Sequence, residues 1–296
     1  MEPNESQDSL GSFFAMNQIQ RITSASNPLI RLTSAVVHIH RRAAKEGLFT
    51  VEGLRLAEMA AVSDWKIRCA FLTENAMAGE RAQALLRILA ARRAPVALIP
   101  ETMFSNLSET ESQQGILLLM ERGKNMSLRE LVRQRNDVDP PLYIVLDRVQ
   151  DPGNVGTILR TADAAGASGV ILLRGSADVY SGKVVRATMG ALFHVPFAEG
   201  IAVMELMDFV RSERVALCAA ACDDGACMHY AADLRQPLVI VFGNEANGVS
   251  EELLAASEHI YIPMCGSAES LNVSAAVAAV LYEAMRQRFY TCLLYT

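Results

Sequence analysis

The sequence contains no uninterrupted apolar run long enough to cross a lipid bilayer, and it does not open on a basic segment followed by an apolar one. The first absence argues against a transmembrane helix, and the second argues against a secretory leader. We therefore expect a protein that works in the cytoplasm and does not bind a membrane.

Cysteine is also scarce, with six residues in 296, which is too few for a disulfide framework. Three of them, Cys218, Cys222 and Cys227, are close in sequence to His229. Their spacing matches no common zinc pattern, and Cys218 lies inside an apolar run. We interpret these thiols as buried or incidental and predict no metal site.

Positive charge is in deficit: the net charge is −6 and the isoelectric point is about 5.5. This balance counts against nucleic-acid binding, but the distribution of charge along the chain matters more than its sum. No acid occurs between residues 18 and 45. The basic residues in that range are Arg21, Arg31, Arg41, Arg42 and Lys45. A second basic cluster follows between residues 122 and 135. For either cluster alone, a solvated surface is as good an interpretation as a phosphate contact.

The order of the apolar segments predicts two α/β domains, without internal repeats or low-complexity segments. Residues 1–16 are polar, and we expect a disordered tail. Residues 17–123 alternate short strands with helices, as in a small α/β domain. Residues 124–141 are charged and end in two prolines, as expected of a linker. Residues 142–290 contain apolar strands separated by helices, which predicts a mostly parallel sheet.

The second domain opens on its most informative stretch. Residues 142–146 form an apolar run typical of a buried strand, and a proline-glycine pair predicts the turn that follows. Asn154 is well placed to cap the next helix. Gly156 would leave the first helical turn bare for a ligand, and Arg160 lies four residues later on the same face. The pattern predicts a phosphate or ribose site at this helix start.

A strand, a glycine loop and a helix also suggest a dinucleotide-binding fold, but the spacing does not support one. The glycines at positions 153 and 156 do not make the GxGxxG fingerprint. The next strand ends in Arg174, where a carboxylate would bind the adenosine ribose. An NAD-dependent oxidoreductase is therefore rejected.

Two further stretches place polar residues after apolar strands. The strand at 238–243 is followed by a loop that contains Glu245, at the strand end where α/β sheets bind ligands. A second strand and loop lead from residue 260 to Ser270 and Asn272, which are either helix caps or members of the site. The helix that follows, from about residue 273 to residue 289, carries alanines that allow close packing.

Taken together, these three stretches resemble the SpoU (TrmH-type) RNA ribose 2′-O-methyltransferases of the SPOUT superfamily. The matching residues are Asn154, Gly156 and Arg160 in the first motif, Gly243, Asn244 and Glu245 in the second, and residues 262–274 in the third. Residues 21–123 likewise resemble the family's substrate-binding domain. The visible departure is at residues 246–247, Ala and Asn, where relatives usually carry glycine after the glutamate.

This resemblance implies a C-terminal SPOUT trefoil-knot domain that holds S-adenosylmethionine, preceded by a small ribosomal-protein-like RNA-binding domain. The implied cofactor contacts are Gly243, Ile262 and Leu271. The resemblance also implies a homodimer with its active sites at the interface. Ribosomal RNA is favoured as the substrate because the extra N-terminal domain is typical of relatives that modify it, and tRNA is the alternative.

The implied catalytic residues are Arg160, Asn154, Glu245, Ser270 and Asn272. The family's usual account makes Arg160 the base that deprotonates the ribose 2′-hydroxyl. A guanidinium is hard to deprotonate, so stabilisation of the developing alkoxide is equally consistent with the sequence. Asn154 and Glu245 would orient Arg160, while Ser270 and Asn272 would complete the pocket. The rival hypothesis, a catalytically idle RNA-binding protein, has no need of all five.

We expect the first domain to present a phosphate-binding face. Its residues would be Arg31, Arg41, Arg42 and Lys45. Alternatively, these side chains solvate a helix or pair with acids such as Glu46 and Glu52.

Overall fold

The computed structural model divides the chain into two units, residues 1–123 and 124–296. It describes residues 19–123, 125–133, 139–223 and 225–293. The expected disordered tail, residues 1–16, lies outside the described residues. Within the described ranges, no helix is both long enough and apolar enough to cross a membrane.

The first unit is a five-stranded sheet with helices. Its strands are β1 (Ile19–Arg21), β2 (Leu48–Glu52), β3 (Ile67–Leu72), β4 (Val96–Leu98) and β5 (Ile116–Glu121). Its helices are α1 (Pro28–His38), α2 (His40–Glu46), α3 (Leu54–Val62), α4 (Glu74–Met77), α5 (Glu80–Ala91) and α6 (Glu101–Ser105). The strand order is β1-β4-β3-β5-β2. Strands β1, β4 and β3 run parallel, and β5 is antiparallel to both β3 and β2.

The α/β class predicted for this region is confirmed. The basic segment that ends at Lys45 forms two helices, α1 and α2. They are separated at Ile39, whose backbone is extended (φ −126°, ψ 91°). Strand β1 was not predicted, because its three residues alternate poorly and none of them is fully buried.

The second unit is built on a seven-stranded sheet. Its strands are β6 (Leu142–Asp147), β7 (Gly169–Leu173), β8 (Phe197–Ile201), β9 (Ala216–Ala220), β10 (Cys227–Met228), β11 (Leu238–Gly243) and β12 (Glu258–Tyr261). Its helices are α7 (Leu128–Arg133), α8 (Pro152–Ala164), α9 (Gly182–Ala187), α10 (Val203–Glu213), α11 (Glu251–Leu254) and α12 (Val273–Leu293), with a 3-10 turn at Ala191–Phe193. The strand order is β10-β12-β9-β11-β6-β7-β8, and the strand pairs are parallel.

Burial on both faces explains why the central strands were recognisable. Every residue of β6 and β7 is buried, and such continuous apolar runs are typical of parallel strands covered on two sides. On one face Tyr143 packs edge-on against Phe209 of α10, with ring centroids 5.4 Å apart. Strands β8 and β10 were not predicted, because the apolar run of β8 is interrupted by the partly exposed Glu199 and the exposed Gly200, and β10 has only two residues, both exposed.

The stretch expected as a linker, residues 124–141, contains a helix that packs in the second unit. Leu128 and Leu131 of α7 are buried in the same apolar cluster as Tyr143 and Phe209. The described part of this stretch is therefore not an extended connector.

The register of two central strands determines which loops meet. Strands β6 and β11 pair from Leu142↔Leu238 to Asp147↔Gly243, so they end side by side. Because the strands are parallel, the loops after them emerge from the same edge of the sheet. These are the loops of the first two sequence motifs.

Candidate active site

The helix of the first motif begins earlier than the sequence predicts. Helix α8 starts at Pro152, and its N-cap is Asp151, whose carboxylate accepts the backbone N–H of Asn154 at 2.9 Å. The prediction that Asn154 caps the helix is therefore wrong. Both residue types are good caps, and proline is favoured at the first helical position, which selects Asp151. The side chain of Asn154 is left to make other contacts.

Asn154 lies at the centre of a chain of hydrogen bonds that joins all three motifs. Its side-chain nitrogen donates to Glu245 Oε1 at 2.8 Å, and its side-chain oxygen accepts from Asn272 Nδ2 at 3.0 Å. Asn272 in turn accepts the backbone N–H of Ser274 at 2.9 Å, at the start of α12. Asn272 is thus both a helix cap and a member of the cluster. We call Glu245, Asn154 and Asn272 the polar cluster.

Glu245 is held on the first-motif loop by backbone groups as well. Its carboxylate accepts the N–H groups of Gln150 and Asp151, each at 3.4 Å. Partial burial raises the pKa of Glu245, but the bonds from Asn154 and from backbone amides outweigh it and hold this pKa below its usual value. The carboxylate is therefore ionised at neutral pH and accepts hydrogen bonds only.

The start of α8 carries a second carboxylate. Asp151 accepts the N–H of Asn154 and also faces Lys183 of α9, whose Nζ lies 3.7 Å from Oδ2. The hydrogen bond from the amide of Asn154 is the main reason why the pKa of Asp151 lies below its usual value. Lys183 is exposed, and it places a positive charge beside the polar cluster.

Gly156 does not leave the helix open to a ligand, so that interpretation is wrong. Gly156 is buried, and a Cβ at this position would lie 2.5 Å from Ala187 Cβ and 2.8 Å from the carbonyl oxygen of Val184. Gly156 therefore lets helix α9 pack closely against α8. The sequence contained no signal for this, because α9 begins 26 residues later and its contact depends on the fold.

The other two predicted catalytic side chains do not join the cluster. Arg160 is exposed on α8, and Ser270 is exposed in the loop before α12. Among the described residues, neither side chain has a hydrogen bond to Asn154, Glu245 or Asn272.

Of the three residues predicted to contact a cofactor, Gly243 is the last residue of β11, whereas Ile262 and Leu271 lie in the loop between β12 and α12. A Cβ on Gly243 would lie 2.1 Å from backbone atoms of Gly248 and Val249, so only glycine lets the 244–248 loop fold back on β11. Ile262 follows β12 directly and is partly exposed, and Leu271 is 41% exposed. Leu271 directly precedes Asn272, so an exposed apolar side chain lies next in sequence to the polar cluster.

The cysteine group shows no metal-binding arrangement within the described residues, since no set of three His, Cys, Asp or Glu groups converges there. Cys218 is buried, and burial raises the pKa of its thiol to about 11. Cys222 and Cys227 are exposed.

In the first unit, the residues predicted to bind phosphate are all exposed on α1 and α2. They are Arg31, Arg41, Arg42 and Lys45. Arg42 forms an ion pair with Glu46 at 2.8 Å, which is one of the alternatives raised above. Glu52 is buried and bonds to Ser108 and to Thr110 instead.

Comparisons with known proteins show which family this chain belongs to. A family model described as the SpoU rRNA Methylase family matches residues 141–282, and one described as an MRM3-like substrate binding domain matches residues 27–118. The chain is 32% identical to the 23S rRNA (uridine(2479)-2'-O)-methyltransferase of Streptomyces viridochromogenes, over 91% of this chain and 93% of that protein. It is 29% identical to the 23S rRNA (guanosine(2553)-2'-O)-methyltransferase RlmP of Bacillus subtilis, over 89% and 98%.

A solved structure shows the same fold. The AdoMet-bound rRNA methyltransferase from Sinorhizobium meliloti superposes with a TM-score of 0.78 at 31% identity, covering 91% of this chain and 98% of that one. The fold and the site thus define a SPOUT-type α/β protein with a separate substrate-binding domain. The chain belongs to the SpoU rRNA methylase family, and the resemblance inferred from the three motifs is confirmed.

Proposed function

We propose that this protein is an S-adenosylmethionine-dependent methyltransferase that modifies a ribose 2′-hydroxyl in ribosomal RNA. The observation that carries the proposal is the polar cluster: one side chain from each motif, joined at 2.8 and 3.0 Å at the carboxyl edge of the sheet. Support also comes from the 32% identity to an enzyme named for 2'-O methylation of 23S rRNA. An idle RNA-binding protein would not need such a cluster.

The cofactor would supply an activated methyl group on a sulfonium. Gly243, Ile262 and Leu271 would hold it: Gly243 leads into the loop of Glu245, Leu271 directly precedes Asn272, and Ile262 opens the loop that contains Leu271. Leu271 and Ile262 offer apolar surface, and Gly243 allows the backbone of Gly248 and Val249 to approach the end of β11 closely. A shift in melting temperature with S-adenosylhomocysteine but not with NAD would support this assignment.

The reaction needs a 2′-oxygen that attacks and a place for its proton. Arg160 is exposed within two helical turns of Asn154, and a guanidinium there would stabilise the developing alkoxide. Neither Arg160 nor Glu245 suits the role of base, since a guanidinium is hard to deprotonate and Glu245 is a weak base that already accepts several hydrogen bonds. The proton would leave to a phosphate of the RNA or to water. Glu245 and Asn154 would shape the pocket, and Ser270 would complete it.

We also propose that the second unit carries the chemistry inside a trefoil knot. The support is that Asn272, which follows the 262–271 loop, bonds to Asn154 at the start of α8. The third motif is thereby brought into contact with the first. We further propose that the protein works in the cytoplasm, as expected from the sequence.

A homodimer is proposed through helix α12. Tyr282 and Phe289 on this helix are 53% and 63% exposed, which is unusual for aromatic side chains. Phe289 and Met285 also line a cavity of about 620 Å³ in the second unit. A second copy that packs on this helix would cover the exposed rings.

The first unit would bind RNA through Arg31, Arg41, Arg42 and Lys45. To test the proposed function, purified protein is incubated with methyl-labelled S-adenosylmethionine and either ribosomal RNA or tRNA. Label that enters ribosomal RNA supports the proposal. Label confined to tRNA would make tRNA the substrate, and no transfer to either RNA would contradict the proposal.

A further inference from the structure

A second set of contacts, next to the polar cluster, centres on Asp147 at the end of β6. Its side chain is only 2% exposed. The carboxylate accepts the backbone N–H of Ser250 at 2.7 Å and Nε of Arg148 at 2.9 Å. Among the described residues, no hydrogen bond joins Asp147 to Asn154 or Glu245. Asp147 therefore touches both loops of the site without belonging to the cluster.

Asn244 forms the matching half of this connection. Its side-chain nitrogen donates to the carbonyl of Arg148 at 2.8 Å, while its side-chain oxygen accepts the N–H groups of Ala246 and Asn247 at 3.0 and 3.1 Å. Asn244 thus sets the shape of its own loop and attaches that loop to the one after β6. Glu245 is the next residue, so its position follows from this attachment.

The backbone of Arg148 shows that the first loop must be held in place. Arg148 has φ 58°, a left-handed conformation that side chains other than glycine rarely adopt. In this conformation its carbonyl reaches Asn244 and its guanidinium binds Asp147. The amides of Gln150 and Asp151, which follow it, donate to Glu245.

We infer that Asp147 is a positioning residue for methyl transfer: it holds the 244–250 loop against the 148–151 loop and so places Glu245 on Asn154. This inference rests on the proposed function. A neutral side chain would reproduce the connection only in part, because an asparagine in place of Asp147 has one acceptor oxygen, and its NH2 group cannot accept a hydrogen bond from the second of the two donors, Ser250 N–H and Arg148 Nε–H. Asp147 would act through Glu245 and not on the reacting atoms.

The decisive experiment is a double-mutant cycle on the full-length protein. Asp147→Asn should lower the single-turnover rate of methyl transfer by roughly ten- to a hundredfold, as expected of a misplaced active-site group, and leave RNA affinity unchanged. In a Glu245→Gln background the same change should cost little, since the group it positions is already gone. An equal fold-loss of rate in both backgrounds would overturn the inference. Such a result means that the two changes act independently, as they would if Asp147→Asn only disturbed the structure in general.

A second readout needs neither RNA nor cofactor. Hydrogen exchange at the amides of Gln150 and Asp151 should be faster in Asp147→Asn, and unchanged exchange there would overturn the connection. Asp208→Asn is the matched control, since it removes an exposed carboxylate paired with Arg211 at 2.8 Å and should alter neither readout.

The inference can still be tested if Asp147→Asn does not fold or if the protein shows no activity. If Asp147→Asn does not fold, Arg148→Ala removes the guanidinium from the same carboxylate, and its loss of rate must show the same dependence on Glu245. An independent loss would overturn the inference. If the unsubstituted protein transfers no methyl group to any RNA, the proposed function fails, whereas the exchange experiment still decides whether Asp147 holds the loops together.

Discussion

Replacing Gly156 by alanine should have opposite effects on stability depending on whether this position is open to a ligand or closely packed. In an exposed helix, replacement of glycine by alanine stabilises a protein by up to about 1 kcal/mol. At position 156 the new methyl would lie 2.5 Å from Ala187 Cβ and 2.8 Å from the Val184 carbonyl oxygen. Ordinary carbon contacts are about 3.5–4.0 Å, so α9 would have to move by about 1 Å. Such overpacking costs about 1–3 kcal/mol. We expect Gly156→Ala to lower the free energy of unfolding by about 1–2 kcal/mol.

The two units allow an internal control. The single tryptophan of the chain, Trp65, lies in the first unit, so its fluorescence during urea unfolding reports on that unit alone. Circular dichroism and hydrogen exchange in β6 and β7 report on the second unit. We expect the transition of the second unit to shift to lower urea and the fluorescence transition to remain unchanged. Thr157→Ala, at the next and exposed position of α8, is the matched control and should have little effect. A Gly156→Ala protein that is as stable as the unsubstituted one, or more stable, would refute the close packing of α8 and α9.

Four further predictions follow from the site and the proposed function. Arg160→Ala should lower single-turnover methyl transfer by at least about a hundredfold, as expected when a charge-stabilising group is lost, while binding of S-adenosylhomocysteine persists; a rate within about tenfold of the unsubstituted enzyme would contradict its role. Because the pKa of Glu245 in the folded protein lies below its usual value of about 4.3, its carboxylate stabilises the fold above that value and loses this effect as the pH falls through the folded pKa. The stability advantage over Glu245→Gln should therefore disappear in acid, and an advantage that persists there would be inconsistent with the lowered pKa. Replacing Arg41 and Arg42 by alanine should flatten the salt dependence of RNA affinity by up to about two units, and superimposable slopes would place the phosphate contacts elsewhere. Light scattering should show a dimer that Ala276→Trp weakens, whereas a monomeric unsubstituted protein would exclude the interface on α12.

The sequence predicted the elements of the second unit better than their contacts. Strands β6 and β7 could be identified because residues buried on both faces form unbroken apolar runs. Strand β8 could not, since it lies at the edge of the sheet, where Glu199 and Gly200 interrupt the apolar pattern. The start of helix α8 was also placed wrongly, because both Asp151 and Asn154 are good N-cap residues. Asp151 is the cap, and the side chain of Asn154 donates to Glu245 instead.

Three of the predicted site residues, Asn154, Glu245 and Asn272, meet in the structure, but the sequence could not predict how they meet. Asn154 and Glu245 are 91 positions apart, and their contact depends on β6 and β11 ending in register. Asp147 was not singled out, because a carboxylate at a strand end is unremarkable until its partner, the amide of Ser250, is known. Gly156 shows the converse: a glycine in a functional motif serves helix packing.

The measurement that tests the central claim most directly is the chemical position of the transferred methyl group. A methyl on a ribose 2′-oxygen prevents that oxygen from attacking the adjacent phosphate, so the phosphodiester bond becomes resistant to alkali. Ribosomal RNA treated with the protein and S-adenosylmethionine, then hydrolysed and mapped at nucleotide resolution, should show a newly resistant bond that is absent after treatment with Arg160→Ala protein. Transfer of label without any alkali-resistant bond would place the methyl on a base and contradict the account.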